Sequence, residues 1–303
     1  MRRRDFLCSA AMALAQTPAI PILDTHIHLF DPSRPQGVPW PNKNNAVLYQ
    51  PALPDRYRKI ATPFGIQGAI EVECSPWLED NQWVLDVAAR DPLIVGMIGN
   101  LEPEKADFPK HLDRFHKNPL FLGIRCGTLW GRDFHAQVNS PDFVAGIKRL
   151  GQAGLTLDTA NPNPAFLADL ARLAEQVPDV RIVIDHLPQM QPSPETEPVI
   201  RRLAQRPRTW VKISEVLRRV DGRVPTDLEF YRSRIDMLFD LFGADRVLYG
   251  SDWPNSDQWG DYRLVFSIVR DYFTAKGSAA MKKYFWENSV AAYRWKTRPA
   301  GPG

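Results

Sequence analysis

Short apolar runs alternating with amphipathic segments, eight times over, constrain this chain more than any other feature. The runs are Ile22–Leu29, Gln67–Cys74, Ile94–Leu101, Phe121–Thr128, Leu155–Ala160, Arg181–Leu187, Thr209–Ser214 and Arg246–Asp252. Between them, Asn81–Arg90, Phe108–Lys117, Asp142–Ala153, Pro164–Gln176, Glu195–Gln205 and Arg232–Phe242 carry apolar residues at helical spacing. Met281–Trp295 reads as a closing helix. Asp179, Pro207 and Asp245 mark returns to strand. Eight such alternations predict an α/β chain folded as a single-domain (β/α)8 barrel over residues 20–296. A doubly wound sheet is the alternative at this length, but no glycine-rich dinucleotide turn follows any strand.

A barrel says where to look for chemistry, because its active site lies at the C-terminal ends of the strands. Read in turn, those ends carry His26 and His28, Glu71 and Glu73, Arg125, Asp185 and His186, Lys212 and Ser214, and Ser251, Asp252 and Trp253. Positions i and i+2 of a strand share a face, so His26 and His28 project to one side, with Asp24 below them. Charged and imidazole groups at most strand ends are hard to explain by packing, since burying an unpaired charge costs several kcal/mol. Structural ion pairs could account for Glu71, Glu73 and Lys212. His26, His28, His186 and Asp252 together point to function.

Composition excludes several classes. The chain has 303 residues, 44% hydrophobic and 24% charged, with a formal net charge of +3. Much of the excess is Arg2, Arg3 and Arg4, and without residues 1–15 the charge is about +1. No basic stripe suggests nucleic acid, and no apolar run reaches the ~18 residues of a membrane span. Residues 1–15 read as a twin-arginine export signal, with Ala13-Leu14-Ala15 as the cleavage candidate, which implies a periplasmic or exported protein; the alternative is a basic N-terminus on a cytoplasmic one. Cys8 would leave with the signal. Cys74 and Cys126 end strands that are not neighbours, so free thiols are expected.

Five segments, DTHIHLFDP, LGIR, VIDHLPQ, VKIS and YGSDWPNS, occur in order at barrel spacing. Together they resemble the amidohydrolase-related (type 2) family of the amidohydrolase superfamily, and most closely its sugar-lactone and pyrone-dicarboxylate lactonases. The resemblance spans roughly Pro21 to Arg294. It implies a (β/α)8 barrel, hydrolytic chemistry, and active-site roles for His26, His28, His186 and Asp252. It also implies that Arg125 meets the carboxylate or carbonyl end of a substrate. Metal-dependent relatives add a histidine at the end of strand five or a carboxylated lysine on strand four. Here strand five reads Leu155-Thr156-Leu157-Asp158-Thr159, and strand four ends in Arg125 and Cys126. A two-metal site is therefore not expected. One divalent ion such as zinc could be held by His26, His28 and Asp252, an N2O set with open positions. The lactonase branch includes members thought to work without metal, so no cofactor is expected to be required.

Lactone hydrolysis needs a base for water, donors at the carbonyl oxygen and an acid for the leaving alkoxide. Asp252 is the candidate base. His26, His28 and His186 are candidates to polarise the carbonyl, directly or through a metal. Arg125 offers a planar fork, and Glu73, Trp130 and Trp253 complete the expected substrate-binding set. Trp77, Trp130 and Trp253 follow strand ends and suit a flat small-molecule ring, or equally pack the loops. The loop Pro32–Pro54, with Trp40, is long enough to be a lid or binding loop. No serine or cysteine sits in a nucleophile elbow, which disfavours an acyl-enzyme. Decarboxylation of an aromatic acid with a metal, and a non-catalytic small-molecule-binding barrel, are the other readings.

Overall fold

A computed structural model of the protein describes residues 20–160, 162–189 and 193–298. The expected export signal, residues 1–15, lies outside the described residues. Eight parallel strands form one sheet in sequence order: β1 Ile22–Ile27, β2 Ile66–Val72, β3 Ile94–Gly99, β4 Phe121–Gly127, β5 Thr156–Ala160, β6 Arg181–Ile184, β7 Thr209–Ile213 and β8 Val247–Tyr249. The ends of the sheet meet. Ile27 bridges Trp253 in parallel, the His28 N–H donates to Trp253 O at 2.8 Å, and the Asp252 N–H donates to His26 O at 2.8 Å. The barrel is thus closed by backbone of the candidate site residues themselves.

Helices return the chain between strands. They are α1 Pro54–Ala61, α2 Leu78–Arg90, α3 Phe108–Phe115, α4 Phe134–Val138, α5 Pro141–Gln152, α6 Pro164–Gln176, α7 Glu197–Ala204, α8 Leu228–Phe242, α9 Tyr262–Lys276, α10 Ser278–Lys282 and α11 Asn288–Tyr293. Local chemistry explains several starts. Pro54, Pro141 and Pro164 occupy first turns, where a missing N–H costs nothing. Asn163, Asp227 and Asp261 accept from N–H groups at the starts of α6, α8 and α9. The expected final helix, Met281–Trp295, differs in form: α10 and α11 are joined by a π turn over Lys283–Glu287, and the helix stops at Tyr293.

Two apolar layers result. One lies between barrel and helices. The other contains Leu23, Ile70, Val72, Val95, Ile98, Leu122, Val183 and Leu248, with Ala292, Tyr293 and Trp295 packed into it. No helix among the described residues is long and apolar enough to cross a membrane.

Candidate active site

The register between β1 and β2 slips between Asp24 and Ile27, and this breaks the simple alternation. Asp24 therefore does not sit beneath the imidazoles. Its carboxylate turns to the helix layer, accepting from Tyr57 of α1 at 2.7 Å and Tyr262 of α9 at 3.1 Å. The backbone N–H groups of His26 and Ser251 donate to its other oxygen, at 3.1 and 2.9 Å. Asp24 clamps the seam between the first strand and the loop after β8.

His26, His28, His186 and Asp252 do come together. Asp252 Oδ1 is their meeting point, 3.2 Å from His28 Nε2, 3.5 Å from His26 Nε2 and 3.9 Å from His186 Nε2. Its Oδ2 accepts from Asn255 Nδ2 at 2.7 Å. The backbone at the site is unusual. Trp130 (φ 61°), His186 (φ 57°), Glu215 (φ 50°) and Asp252 (φ 59°) are non-glycine residues in the left-handed region, and all four line one cavity. Each such residue costs on the order of 1 kcal/mol or more, and they gather where function over-determines the backbone.

Burial pushes the Asp252 carboxyl up, but the His186 imidazole, the hydrogen bond to His28 and the His26 ring outweigh it and hold Asp252 below the usual carboxylate range. Burial, then the Lys212 ammonium, pushes His26 well below an ordinary histidine. Burial also lowers His186. The result is an ionised carboxylate facing neutral rings at His26 and His186. His28 differs. Its Nδ1 lies 2.7 Å from Val72 O, which can only accept, so Nδ1 carries hydrogen. Its Nε2 then faces Asp252 Oδ1 at 3.2 Å.

Below His26 lies a fully buried charge network. Lys212 Nζ sits 2.8 Å from Asp158 Oδ2, 3.0 Å from Asp185 Oδ1 and 3.3 Å from His26 Nδ1. Tyr293 donates to Asp158 Oδ2 at 2.7 Å. Burial raises Asp158 to about 6 against the pull of Lys212. Two neighbours of opposite character thus face His26 Nδ1. Donation from Lys212 places the ring hydrogen on Nε2, whereas acceptance by Asp185 Oδ2, at 3.6 Å, leaves the Nε2 lone pair free.

A divalent ion fits the site on its donors. Ligand atoms of His26, His186 and Asp252 all lie within 4.8 Å of one another, all three residues are buried, and His26 Nε2 has no hydrogen-bond partner. His186 takes the place in this trio that the sequence reading gives to His28. The reason is tertiary: His28 lies beyond the end of β1 and is anchored to Val72 on β2.

Arg125 lines the cavity, but most of its fork is engaged. Its Nε donates to Glu73 Oε1 at 3.0 Å and its Nη2 to the Glu73 carbonyl. Trp130 Nε1 and the Ser75 N–H, at 3.1 and 3.2 Å, donate to Glu73 Oε2. Glu73 and Lys212 thus belong to ion pairs. Glu71 has no ion-pair partner among the described residues. Burial, then the nearby Glu73, pushes its carboxyl well up, and it borders a neighbouring cleft with Phe30, Trp40 and Trp83.

Trp40 and Trp130 line the candidate site's cavity, which holds about 170 Å³. Trp40 stands 5.5 Å from the His28 ring, on the long loop that Phe30 and Ala52 pin by mutual backbone hydrogen bonds. Trp77 does not line the cavity, and Trp253 is fully buried with its ring 5.2 Å from Tyr57. Trp253 serves the barrel seam instead of a pocket wall. Cys74 and Cys126 are free and buried, and burial pushes Cys126 up to about 12, so neither is a ready nucleophile. Glu215 and Asn255 also line the cavity and are not singled out by the sequence reading. Both were open to it: Glu215 follows VKIS, and Asn255 lies inside YGSDWPNS.

The chain is 28% identical over 291 residues to an L-fucono-1,5-lactonase of Burkholderia ambifaria, covering 92% of this chain and 97% of that protein. A solved amidohydrolase from Burkholderia multivorans with bound zinc superposes with a TM-score of 0.82 at 20% identity, over 91% of this chain and all of the other. A probable 2-pyrone-4,6-dicarboxylic acid hydrolase from Acinetobacter baumannii, with citric acid bound, gives a TM-score of 0.71 at 17% identity, over 90% and 99%. The amidohydrolase family model matches residues 23–295. The chain is a hydrolase on a (β/α)8 barrel, and it belongs to the amidohydrolase family.

Proposed function

We propose that the protein hydrolyses a small lactone by direct attack of water, with Asp252 as the base. One observation carries the reading: an ionised carboxylate, ringed by three imidazoles at 3.2–3.9 Å, forms the floor of an open cavity at the C-terminal ends of the strands. The likeness to an L-fucono-1,5-lactonase supports a sugar lactone as the substrate class. Asp252 Oδ1 takes a proton from water, and the water oxygen attacks the ring carbonyl. Imidazole N–H groups from His26 and His186 donate to the carbonyl oxygen as charge develops there. The carbon–oxygen bond of the ring then breaks, and the proton held by Asp252 passes to the departing alkoxide. Asn255 keeps Asp252 oriented through its Oδ2. The Nη1 of Arg125, not engaged by Glu73, can meet a lactone oxygen.

A bound divalent ion would be held by His26, His186 and Asp252 and would act as a Lewis acid. Decarboxylation is not favoured, because β5 offers no histidine and its Asp158 is committed to Lys212.

The test is proton release from a panel of aldono-lactones, for wild type and Asp252→Asn. The variant should lose on the order of 10²–10⁴ in rate while keeping its thermal unfolding midpoint. Near-normal rates in Asp252→Asn would remove it as base. No turnover of any lactone by the wild type would end the lactonase reading.

A further inference from the structure

The resemblance implies that Arg125 meets the carboxylate or carbonyl end of a substrate, and in the structure two of its three guanidinium nitrogens are already engaged by Glu73. Among the described residues, Arg125 is the one lysine or arginine lining the cavity. Glu73 takes its Nε through a carboxylate oxygen and its Nη2 through the backbone carbonyl. The pair is buried on both sides, and the second oxygen of Glu73 is held by Trp130 and Ser75. A substrate carboxylate would have to displace a preformed, desolvated ion pair to take two nitrogens of the fork, and finds only Nη1 not engaged by Glu73.

Among the described residues, the lining also holds two carboxylates and two histidines. Asp252 and Glu215 both face the cavity. Asp252 is met by histidines and Asn255, and Arg125 is near enough to feel its charge without touching it. Glu215 Oε2 lies 3.6 Å from His186 Nδ1, on the side of that ring away from Asp252. Arg218 is near enough to Glu215 to feel its charge but does not line the cavity. An entering anion therefore meets an arginine already paired with Glu73, and beside it the Asp252 carboxylate, where like charges are unfavourable.

We propose that the cavity selects uncharged lactones over carboxylated ones, and that Glu73 sets this choice by occupying Arg125. The proposal rests on the lactonase reading for the identity of the site. The arrangement has a kinetic consequence as well: hydrolysis turns a neutral ring into a carboxylate, and the same charges then favour release of the product.

The experiment compares an aldono-1,5-lactone with the analogue in which the terminal carbon is a carboxylate, alongside the matching pair of lactams. Lactams resist turnover and report binding by calorimetry. The wild type should prefer the neutral member of each pair, by on the order of 10²-fold in kcat/KM for the lactones. Glu73→Gln removes the competing carboxylate and frees the fork, so the preference should narrow at least tenfold in both pairs. Glu215→Gln, which leaves Arg125 paired, should narrow it less. A wild type that handles both members equally overturns the proposal, even if lactones are good substrates. A preference unchanged in a folded Glu73→Gln overturns the role of Glu73. Selective binding of the neutral lactam without lactone turnover would uphold the charge selection while ending the lactonase reading.

Discussion

At the scale of single residues, the site depends on keeping one carboxylate charged among rings that are not. Asp252 is held below the usual carboxylate range, and His26 and His186 lie below an ordinary histidine. The sign of the pH dependence follows. In the proposed mechanism the active form has Asp252 ionised and these two rings neutral. Acidification protonates the rings first, but only below the ordinary histidine value of about 6.5. kcat/KM should therefore stay level from neutral pH to below about 6.5 and then fall, an acid limb set by the imidazoles before Asp252 itself. Initial rates on a neutral lactone, corrected for spontaneous hydrolysis, provide the check. An acid limb centred at pH 7 or above would show that these rings are not held below an ordinary histidine, and a fall in rate on the alkaline side of neutrality would show that one of them works in its charged form.

At the scale of elements, the seam between β1 and the end of β8 positions the site. It is made by backbone hydrogen bonds between His26, His28, Asp252 and Trp253, and by the Asp24 clamp to Tyr57 and Tyr262. Gly250 stands at its tightest point. A Cβ there would come within 2.8 Å of His26 Cβ and 3.2 Å of Ser214 Cβ. Gly250→Ala must push β1 or the His26 ring outward. It should cost about 1–3 kcal/mol of stability, and activity should fall by roughly tenfold or more, because sub-ångström displacement of a catalytic group is expensive. Urea unfolding read beside kcat on the same preparation separates the two effects. A variant as stable and as active as wild type would show that the seam can give without moving His26.

At the scale of the whole molecule, eight strands deliver their charged ends to one volume, and the question is how far that volume needs a metal. Three donors converge with an orphaned His26 nitrogen, a set that can hold zinc at modest affinity without a fourth protein ligand. Lys212 at 3.3 Å from His26 Nδ1 also favours the tautomer that presents an Nε2 hydrogen to the cavity. That form polarises a carbonyl unaided, and an activated ester needs less electrophilic help than an amide. Purified protein should carry substoichiometric metal and keep most of its lactonase activity after exhaustive chelation. Elemental analysis beside rates on the chelated enzyme decides it. Metal near one per chain, with activity lost on removal and restored by zinc, would make the His26, His186 and Asp252 trio an obligatory centre.

The sequence by itself determined the barrel, because strand and helix periods are local and survive without knowledge of neighbours. Arg181–Leu187 and Thr209–Ser214 fall on β6 and β7, and Pro164–Gln176 coincides with α6. Of the helices not singled out, α9 carries a plain helical stripe that could have been found, whereas α4 has only five residues. The same locality brought out His26, His28, His186 and Asp252, since each ends a strand. Only the tertiary structure decided their partners. Glu73 and Arg125 are 52 residues apart, Lys212 and His26 186, and His28 and Asp252 224. Spacing cannot say that Arg125 is already paired, that a register slip turns Asp24 away, or that Trp253 fills the seam instead of the cavity. Those outcomes depend on which strand ends meet when the barrel closes, and on left-handed backbone at Trp130, His186, Glu215 and Asp252 that only the closed barrel can hold in place.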